Sequence, residues 1–575
     1  MGDGKGLPTV MGLLIEGCDP SAALVHEGRI VAFAEEERFN RDKHAMGVFP
    51  SQAIAYCLEV AQLAITDVDV IAVGWDAAKF PDQMADFYKT TRRLHAPCSD
   101  FVVRWQDRNV NRYTPEVLTG QIVDHLLSGV PDETWPKIRF VNHHYAHACS
   151  SFFVSGFERA AILTADGHGE DDCTHFWVAE NGKIRHLREW LLPLSLGWFY
   201  TKFTQFFGFH AHDGEGKLMG LAAYGKPVDT LLANVRKVLH ATGDERIYDL
   251  ASRFFYGEFE ASGPYTREWI ELFGEPRPLE SREPFNEYYK DLAFAVQHVF
   301  EEACLALAKQ ILAETGMDKL CVAGGTFMNC KMNGQLAKTV GFKNFFAQPA
   351  AGDNGVSLGA ALAVVGEAGG RPTEPLLHTY FGPSYNNDEI EAALKASGVD
   401  YRKSTDIAAE AAALLADSKV VGWFQGSMEA GARAMGNRSI LANPLNPEMS
   451  NLVNNKVKFR ESWRPFCPSV LVEDGPDCFD YSGDLPFMIV ACEAREGVKD
   501  RLPSVVHVDN TVRVQSVRRE TNPLFYALIE AFKRRTGVGV VLNTSFNVKG
   551  EPIVLRPAEA ISCFEKTGMD AMAIG

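Results

Sequence analysis

The chain has 575 residues, which is too long for one hydrophobic core and predicts about two to four domains. Its formal net charge of -17, without any run of Lys or Arg, argues against nucleic acid as a partner. The sequence shows neither a signal-peptide pattern nor a long apolar stretch, so we expect a cytoplasmic protein that does not enter the membrane.

Two stretches in the N-terminal half follow one plan of strand, acidic glycine turn and β-hairpin. In the first, an apolar strand ends at Asp19 and a hairpin follows at residues 25–31. In the second, a strand ends at Asp166 and a hairpin follows at residues 178–185. This internal repeat resembles the duplicated architecture of actin-like ATPases. Hairpins with glycine turns are also common in other α/β proteins, so the repeat alone leaves the fold open.

Between the repeats, residues 79–132 are polar and have helical spacing. Such a segment is typical of an insertion or of a surface that faces a partner. No motif within it indicates a chemistry, and the sequence leaves its role open.

A histidine pair precedes the second repeat. His143 and His147 are four residues apart, so their imidazoles lie on one face of a helix. Asp166 follows in the turn DGHGE and adds a carboxylate. Two imidazoles and a carboxylate suit a divalent transition metal such as Fe(II), Mn(II) or Zn(II), with positions left open for substrate. The alternative interpretation of the pair is a solvated helix end that precedes a loop.

Glycine-containing motifs downstream offer candidate phosphate contacts and one further metal ligand. Lys217 in GEGKLMG supplies a point charge for a phosphate. Gly324 and Gly325 end a strand before a helix that bears Asn329, where unpaired N–H groups and the helix dipole favour an anion. Asp353, in another strand-to-helix turn, is a fourth candidate metal ligand.

The sequence becomes rich in Gly and Pro after residue 367, and we place a domain boundary between residues 372 and 373. Beyond it, short motifs set cations among Gly, Asn and Ser: Arg433, Arg438, Lys458, Arg460, Arg464, Arg513 and the neighbouring Ser545. In so acidic a chain these cations as a set indicate phosphate ligands, although an ordinary ion pair remains the alternative for any single one.

Eight motifs carry a family resemblance: HHYAHACSSF, DGHGE, EGKLMGLAAYG, GGTFMN, PAAGDNG, GWFQGSMEAGARAMGNRSILA, KFRESWRPFCPSVL and LNTSFNVKGEPIV. In this order they resemble the NodU/CmcH family of carbamoyltransferases, most closely the TobZ-type O-carbamoyltransferases of antibiotic biosynthesis. The resemblance implies an α/β fold in two parts. Residues 1–372 would form a duplicated actin-like (ASKHA) domain similar to threonylcarbamoyl transferase, and residues 373–575 a domain similar to the YrdC carbamoyl-adenylating enzymes.

The same resemblance implies a two-step reaction. The C-terminal domain would use ATP, with Mg, and carbamoyl phosphate to form carbamoyladenylate, releasing phosphate and pyrophosphate. The intermediate would pass through an internal channel to an Fe(II) site in the N-terminal domain, where a hydroxyl of a small natural product attacks and AMP leaves. The implied ligands are His143, His147, Asp166 and Asp353 for the metal; Arg433, Lys458, Arg464, Arg513 and Ser545 for carbamoyl phosphate and ATP; and Lys217, Gly324, Gly325 and Asn329 for the adenylate. Lys458 and Arg464 would be catalytic.

The chain departs from the family pattern at Cys18, where relatives usually carry a His in an HDAS- or HGAS-like turn. That His is the expected base for the acceptor hydroxyl, and a thiol replaces it poorly unless its pKa is lowered. The remaining candidates for the base are Glu16, Asp19, His210, His212 and a group on the acceptor. Asn510 replaces a Gly in a VDGT-like turn, which Asn tolerates because it adopts the left-handed conformation.

Three other functions are weighed against carbamoyl transfer. A tRNA threonylcarbamoyl-type transferase shares the metal motif, but the negative charge and the fused C-terminal domain argue against it. A non-catalytic actin-like nucleotide-binding protein would need no cation cluster beyond its cleft. A metal-dependent hydrolase would be expected to carry an HExxH motif, and none occurs. The sequence leaves the acceptor and the oligomeric state open, a homodimer included.

Overall fold

The computed structural model describes residues 6–94, 100–255, 265–370, 372 and 374–575. The chain divides into two compact units. The first comprises Met1–Val31, Gly47–Val340 and Asn344–Pro375, and the second comprises Ala32–Met46, Gly341–Lys343 and Leu376–Gly575. The main division lies close to the boundary predicted from composition. The two short segments of the second unit come from a part of the chain that the sequence assigns to the first domain.

Up to residue 375 the chain alternates strands and helices. The strands are β1 Val10–Leu14, β2 Ser21–His26, β3 Arg29–Glu35, β4 Val70–Val73, β5 Lys137–Phe140, β6 Arg159–Ala165, β7 Asp172–Glu180, β8 Lys183–Leu191, β9 Leu239–Ala241, β10 Tyr248–Leu250, β11 Leu320–Ala323 and β12 Phe345–Ala347. The helices are α1 Glu37–Asn40, α2 Ser51–Ala61, α3 Phe80–Leu94, α4 Asp100–Arg112, α5 Pro115–Ile122, α6 His143–Phe152, α7 Leu196–Phe206, α8 Glu215–Ala222, α9 Asp229–Arg236, α10 Arg267–Phe273, α11 Glu287–Thr315, α12 Cys330–Val340 and α13 Val356–Glu367.

Two five-stranded sheets of this part have the same strand order, β3-β2-β1-β4-β5 and β8-β7-β6-β11-β12. In the first sheet β1 pairs antiparallel with β2 and parallel with β4. In the second sheet β6 pairs antiparallel with β7 and parallel with β11. Asp19 lies in the turn between β1 and β2, and Asp166 in the corresponding turn between β6 and β7. The predicted duplication of an actin-like unit is therefore confirmed by the topology.

Helices α6 and α13 position candidate metal ligands. Helix α13 packs against β1, β2 and β4, α6 packs against β6, β7 and β11, and the two helices pack on each other. A Cβ on Gly359 would lie only 1.9 Å from the carbonyl oxygen of Ala146, so this close helix contact requires glycine. Helix α6 starts where β5 ends, and the Asn142 side chain caps it by accepting a hydrogen bond from the Tyr145 N–H.

The polar segment 79–132 is helical, as its spacing predicts. Helices α3, α4 and α5 cover most of it, and a π-helical turn follows at Val123–Leu127. Residues 95–99 of this segment lie outside the described part of the chain. Among the described helices, none combines the length and the apolar composition that crossing a bilayer requires.

The second unit is also α/β. Its strands are β13 Val421–Phe424, β14 Arg438–Ala442, β15 Cys467–Leu471, β16 Phe479–Asp480, β17 Ala491–Ala494, β18 Thr511–Arg513, β19 Gln515–Val517, β20 Val540–Ser545 and β21 Ala571–Ile574. Its further helices are α14 Asn387–Ser397, α15 Ile407–Ala416, α16 Met449–Val453, α17 Gly475–Cys478, α18 Val498–Arg501, α19 Pro523–Thr536 and α20 Pro557–Glu565. The main sheet is mixed, in the order β19-β15-β20-β14-β13-β21, and β16, β17 and β18 form a smaller antiparallel sheet. Trp423 and residues of α15 and α19 form a buried core on the main sheet. The likeness of this unit to the YrdC enzymes stays a prediction.

Candidate metal centre and anion site

The structure brings the four candidate metal ligands of the first unit together. His143, His147, Asp166 and Asp353 each offer one ligand atom, and these atoms all lie within 4.8 Å of one another. Nε2 of His147 is 2.9 Å from Oδ2 of Asp166. Nε2 of His143 is 3.9 Å from the same oxygen and 3.8 Å from Oδ1 of Asp353. The first turns of α6, the end of β6 and the turn before α13 therefore converge on one point, which we call the metal centre.

The surroundings of His143 orient its ring for this purpose. Its Nδ1 lies 3.2 Å from the carbonyl oxygen of Gly74, and the ring stacks on Trp75 with a centroid separation of 4.4 Å. Donation from Nδ1–H to Gly74 leaves the Nε2 lone pair facing the two carboxylates, an arrangement that is usual for histidines that bind metals. In the described part of the chain, Nε2 of His143 has no hydrogen-bond partner although the residue is fully buried.

Electrostatics at the metal centre favour a cation. Burial and the neighbouring Asp166 carboxylate raise the pKa of Asp353 well above its usual range. Burial opposes a charge on His143, yet the neighbouring carboxylates of Asp166 and Asp353 raise the pKa of that imidazole to about 9. The buried Asp166 and the partly buried Asp353 thus place two carboxylates together with too little positive charge to balance them. Two imidazoles and two carboxylates are a donor set that fits a divalent transition metal.

Cys18 lies close enough to the metal centre to feel its charges. Burial, the Asp19 carboxylate and Asp353 raise the pKa of its thiol, so it stays protonated and is a poor base. Among the other candidates, Glu16 is paired with Arg112 and accepts a hydrogen bond from Gln121. The remaining candidates differ in position: Asp19 lies beside Cys18, His210 is half exposed near Glu280, and His212 is exposed.

The predicted adenylate ligands of the first unit have partners of their own. The Gly325 N–H donates to Oδ2 of Asp166 over 3.1 Å, so it supports a candidate metal ligand. The Asn329 side-chain amide exchanges hydrogen bonds with Gln297, and Lys217 pairs with an aspartate one turn earlier. Their role toward an adenylate stays a prediction.

Gly324→Ala is expected to destabilise the first unit by about 3 kcal/mol. Gly324 has a φ of 105°, and a Cβ there would lie 2.0 Å from the carbonyl oxygen of Ala165, next to Asp166. Urea unfolding measures the effect. The matched control is Gly316→Ala. Gly316 also has a positive φ but open space around it, so this variant should lose only about 1 kcal/mol of unfolding free energy. Equal losses for the two variants would show that the backbone contact has no importance.

In the second unit the structure brings Lys458 to Ser545. Nζ of Lys458 donates to the backbone oxygens of Ser545 and Asn547, each over 2.9 Å, and to Oδ1 of Asn547 over 2.6 Å. This Nζ makes no ion pair with any described carboxylate. The residue is 5% exposed, and burial, followed by the positive charge of Arg460, lowers its pKa well below the usual range.

Further cations surround Lys458. Burial and the neighbouring Arg464 lower the pKa of Arg460 to about 9, and Arg513 acts in the same direction. We call Lys458, Arg460, Arg464 and Arg513 the cation cluster. Like charges that lower one another's pKa favour a bound anion, so the cluster is a candidate phosphate site. Arg433 lies in the β13–β14 loop of the same unit.

Arg438 has a different role from the one its motif suggests. It is fully buried at the start of β14, and its guanidinium donates to the carbonyl oxygens of Gln425, Gly426 and Pro383. The guanidinium also lies 3.7 Å from the ring centroid of Phe424. These contacts hold the loop in place, so Arg438 acts in folding rather than as an anion ligand.

Sequence reasoning did not single out Glu170 or Asn547. Glu170 is buried, and its carboxylate accepts hydrogen bonds from the Asp76 N–H and the Asn142 side chain at the start of α6. Burial and the charge of Asp172 raise its pKa to about 8. Glu170 is the last residue of the motif DGHGE, and Asn547 is the second asparagine of NTSFN. Neither residue type indicates its hydrogen-bond partner from the sequence alone.

Comparisons with known proteins agree with the two-part organisation. The family model described as Carbamoyltransferase N-terminus matches residues 10–362, and the one described as Carbamoyltransferase C-terminus matches residues 412–575. The uncharacterized protein sll1178 of Synechocystis is 37% identical over 98% of this chain and 95% of its own length. Nodulation protein NolNO of Sinorhizobium fredii is 35% identical over 97% of this chain and 78% of its own length. Nodulation protein NolO of Bradyrhizobium diazoefficiens is 38% identical over 76% of this chain and 78% of its own length.

Proposed function

The chain belongs to the carbamoyltransferase family, and from this premise we propose that it is an ATP-dependent O-carbamoyltransferase. In this proposal it forms carbamoyladenylate from ATP and carbamoyl phosphate, and transfers the carbamoyl group to a hydroxyl of a small natural product. The observation that carries the proposal is the presence of a cation cluster around the buried Lys458 in one unit and of a His and Asp cluster in the other.

The cation cluster suits the adenylation step. Water first hydrolyses carbamoyl phosphate to carbamate and phosphate, and a carbamate oxygen then attacks the α-phosphorus of ATP, which expels pyrophosphate. Charge accumulates on the phosphoryl oxygens during this attack, and Lys458, Arg464 and Arg513 would neutralise it from fixed positions. Oδ1 of Asn547 and the backbone oxygen of Ser545 accept hydrogen bonds from the Lys458 ammonium and hold it in place before substrate arrives.

The metal centre suits the transfer step, in which an acceptor oxygen bonds to the carbamoyl carbon and AMP leaves. We propose Fe(II), or another divalent transition metal, held by His143, His147, Asp166 and Asp353. When bound, such an ion supplies a Lewis acid for a carbonyl oxygen. The Gly325 N–H fixes Asp166, and Trp75 fixes the His143 ring. Since Cys18 is protonated, Asp19 or a group on the acceptor would remove the hydroxyl proton.

The products of ATP turnover test this proposal. With carbamoyl phosphate, the protein should release pyrophosphate from ATP even without an acceptor, and AMP should accumulate catalytically only when a hydroxyl acceptor is added. Release of ADP without carbamoyl phosphate would identify an ATPase and contradict the proposal. The use of ATP and carbamoyl phosphate would also place the reaction in the cytoplasm.

Binding of a phosphate-bearing ligand to the cation cluster is expected to take up a proton. Burial and the charge of Arg460 lower the Lys458 pKa, whereas a bound anion stabilises the charged ammonium and raises this pKa again. The bound state therefore holds more protons, and affinity should fall as pH rises through the lowered pKa, by up to about tenfold per pH unit. Calorimetry with a non-hydrolysable ATP analogue, in buffers of different ionisation enthalpy, measures the uptake. Lys458→Met should bind without it, and equal uptake by both proteins would contradict the assignment.

A further inference from the structure

A second set of buried ligand side chains lies beside the metal centre. It consists of His144, Asp172 and His175, which we call the inner triad, and its ligand atoms lie within 4.8 Å of one another. Nε2 of His175 is 3.0 Å from Oδ2 of Asp172, and Nε2 of His144 is 3.8 Å from Oδ1 of the same carboxylate. The inner triad shares no residue with the metal centre, so the two sets are separate and not one bridged pair.

The inner triad contains buried polar atoms that no described residue satisfies. His144, Asp172 and His175 are 0%, 5% and 3% exposed. Among the described residues, Nε2 of His144, Oδ1 of Asp172 and Nδ1 of His175 have no hydrogen-bond partner. Unsatisfied buried polar groups destabilise a fold, so three residues with such atoms at one point indicate a missing ligand.

Neighbouring side chains orient the inner triad. Nδ1 of His144 lies 3.0 Å from Oγ1 of Thr164, and Nε1 of Trp177 donates to the same oxygen over 3.1 Å. A hydrogen bond from Nδ1–H of His144 leaves its Nε2 lone pair directed at the carboxylate. The His175 ring stacks on Trp177, with centroids 5.1 Å apart and planes within 8°. Two imidazoles are thus held in position before any ligand arrives.

We propose that the inner triad binds a second divalent transition-metal ion, of the class of Zn(II) or Co(II). Imidazole nitrogens and one carboxylate are the preferred ligands of these ions, and three protein ligands leave a fourth position. The ion would connect α6 to β7 at the residue that follows His143, and so would fix the start of α6. A buried water could fill the same space, but a site that holds only water would show no preference for a metal ion.

His175 also belongs to an outer set with His186 and Glu189, which are 40% and 49% exposed in their side chains. An exposed set of this kind is common without a metal, and it offers a control for the buried one. His186→Ala removes the outer set but leaves every residue of the inner triad.

Counting bound cobalt tests the proposal. The full chain is stripped with a chelator, loaded with Co(II) and freed of unbound ion, and cobalt per chain is measured by mass spectrometry. The wild type should hold two ions, and His175→Gln and Asp172→Asn should each lose one. His186→Ala should keep both, and circular dichroism checks the fold of every variant.

Two results would overturn the second site. One is a wild type whose cobalt content neither His175→Gln nor Asp172→Asn changes; the other is an ion lost in His186→Ala, which would assign it to the outer set. If His175→Gln does not fold, Asp172→Asn decides. A single wild-type ion that is lost in both triad variants but kept in His143→Ala would support the inner triad and contradict the metal centre.

Discussion

Lys458→Ala is expected to lower carbamoyladenylate formation by about a thousandfold, with transfer from supplied carbamoyladenylate unchanged. The buried ammonium is held by Ser545 and Asn547 and has no described carboxylate partner, so its charge is available to an anion. Removal takes away a fixed cation at the point where phosphoryl charge develops, and the truncated side chain offers no other donor. Carbamoyl phosphate-dependent release of pyrophosphate from ATP measures the first step, and carbamoylation from synthetic adenylate measures the second.

Lys456→Ala is the matched control, because Lys456 lies two residues away in the same π-helical turn and is exposed. It should leave both steps at the wild-type rate. Loss of both steps in Lys458→Ala, with circular dichroism unchanged, would contradict the assignment of adenylation to the second unit alone. An unaltered rate of pyrophosphate release would remove the cation cluster from the mechanism.

The ligands of the metal centre could be predicted because local spacing places them. His143 and His147 need only a helix to share a face, and Asp166 needs only the strand that delivers it to a turn. Asp353 lies almost two hundred residues further on, and its convergence follows from the duplicated topology that the repeated motifs also indicate. Each of these inferences depends on one helix, strand or turn at a time, and such local elements can be recognised from the sequence.

The inner triad could not be predicted in this way. His144 and His175 come together because β7 pairs with β6 beside α6, and the pattern of β7 gives no sign of which strand face meets which helix face. Arg438 and Arg460 make the same point within the second unit. Both lie in similar motifs, yet Arg438 is surrounded by carbonyl oxygens, whereas burial and the charge of Arg464 lower the pKa of Arg460. The short segment Ala32–Met46 joins the second unit through long-range contacts that no local pattern records.

His143→Ala is expected to abolish carbamoyl transfer, by about a thousandfold or more, while pyrophosphate release from ATP and carbamoyl phosphate continues. The substitution removes one of four ligands and leaves the carboxylates of Asp166 and Asp353 with less positive charge between them. The ion at the metal centre should therefore be lost, which metal analysis of the purified variant detects.

The control is His298→Ala, which should retain metal and both activities. His298 is a half-exposed histidine on α11 that pairs with Glu302. Transfer that persists in His143→Ala without bound metal would show that the centre is structural, because the acceptor hydroxyl would then attack the adenylate without a Lewis acid. Loss of adenylation as well would mean that the first unit takes part in both steps, and the separation of chemistry between the two units would be wrong.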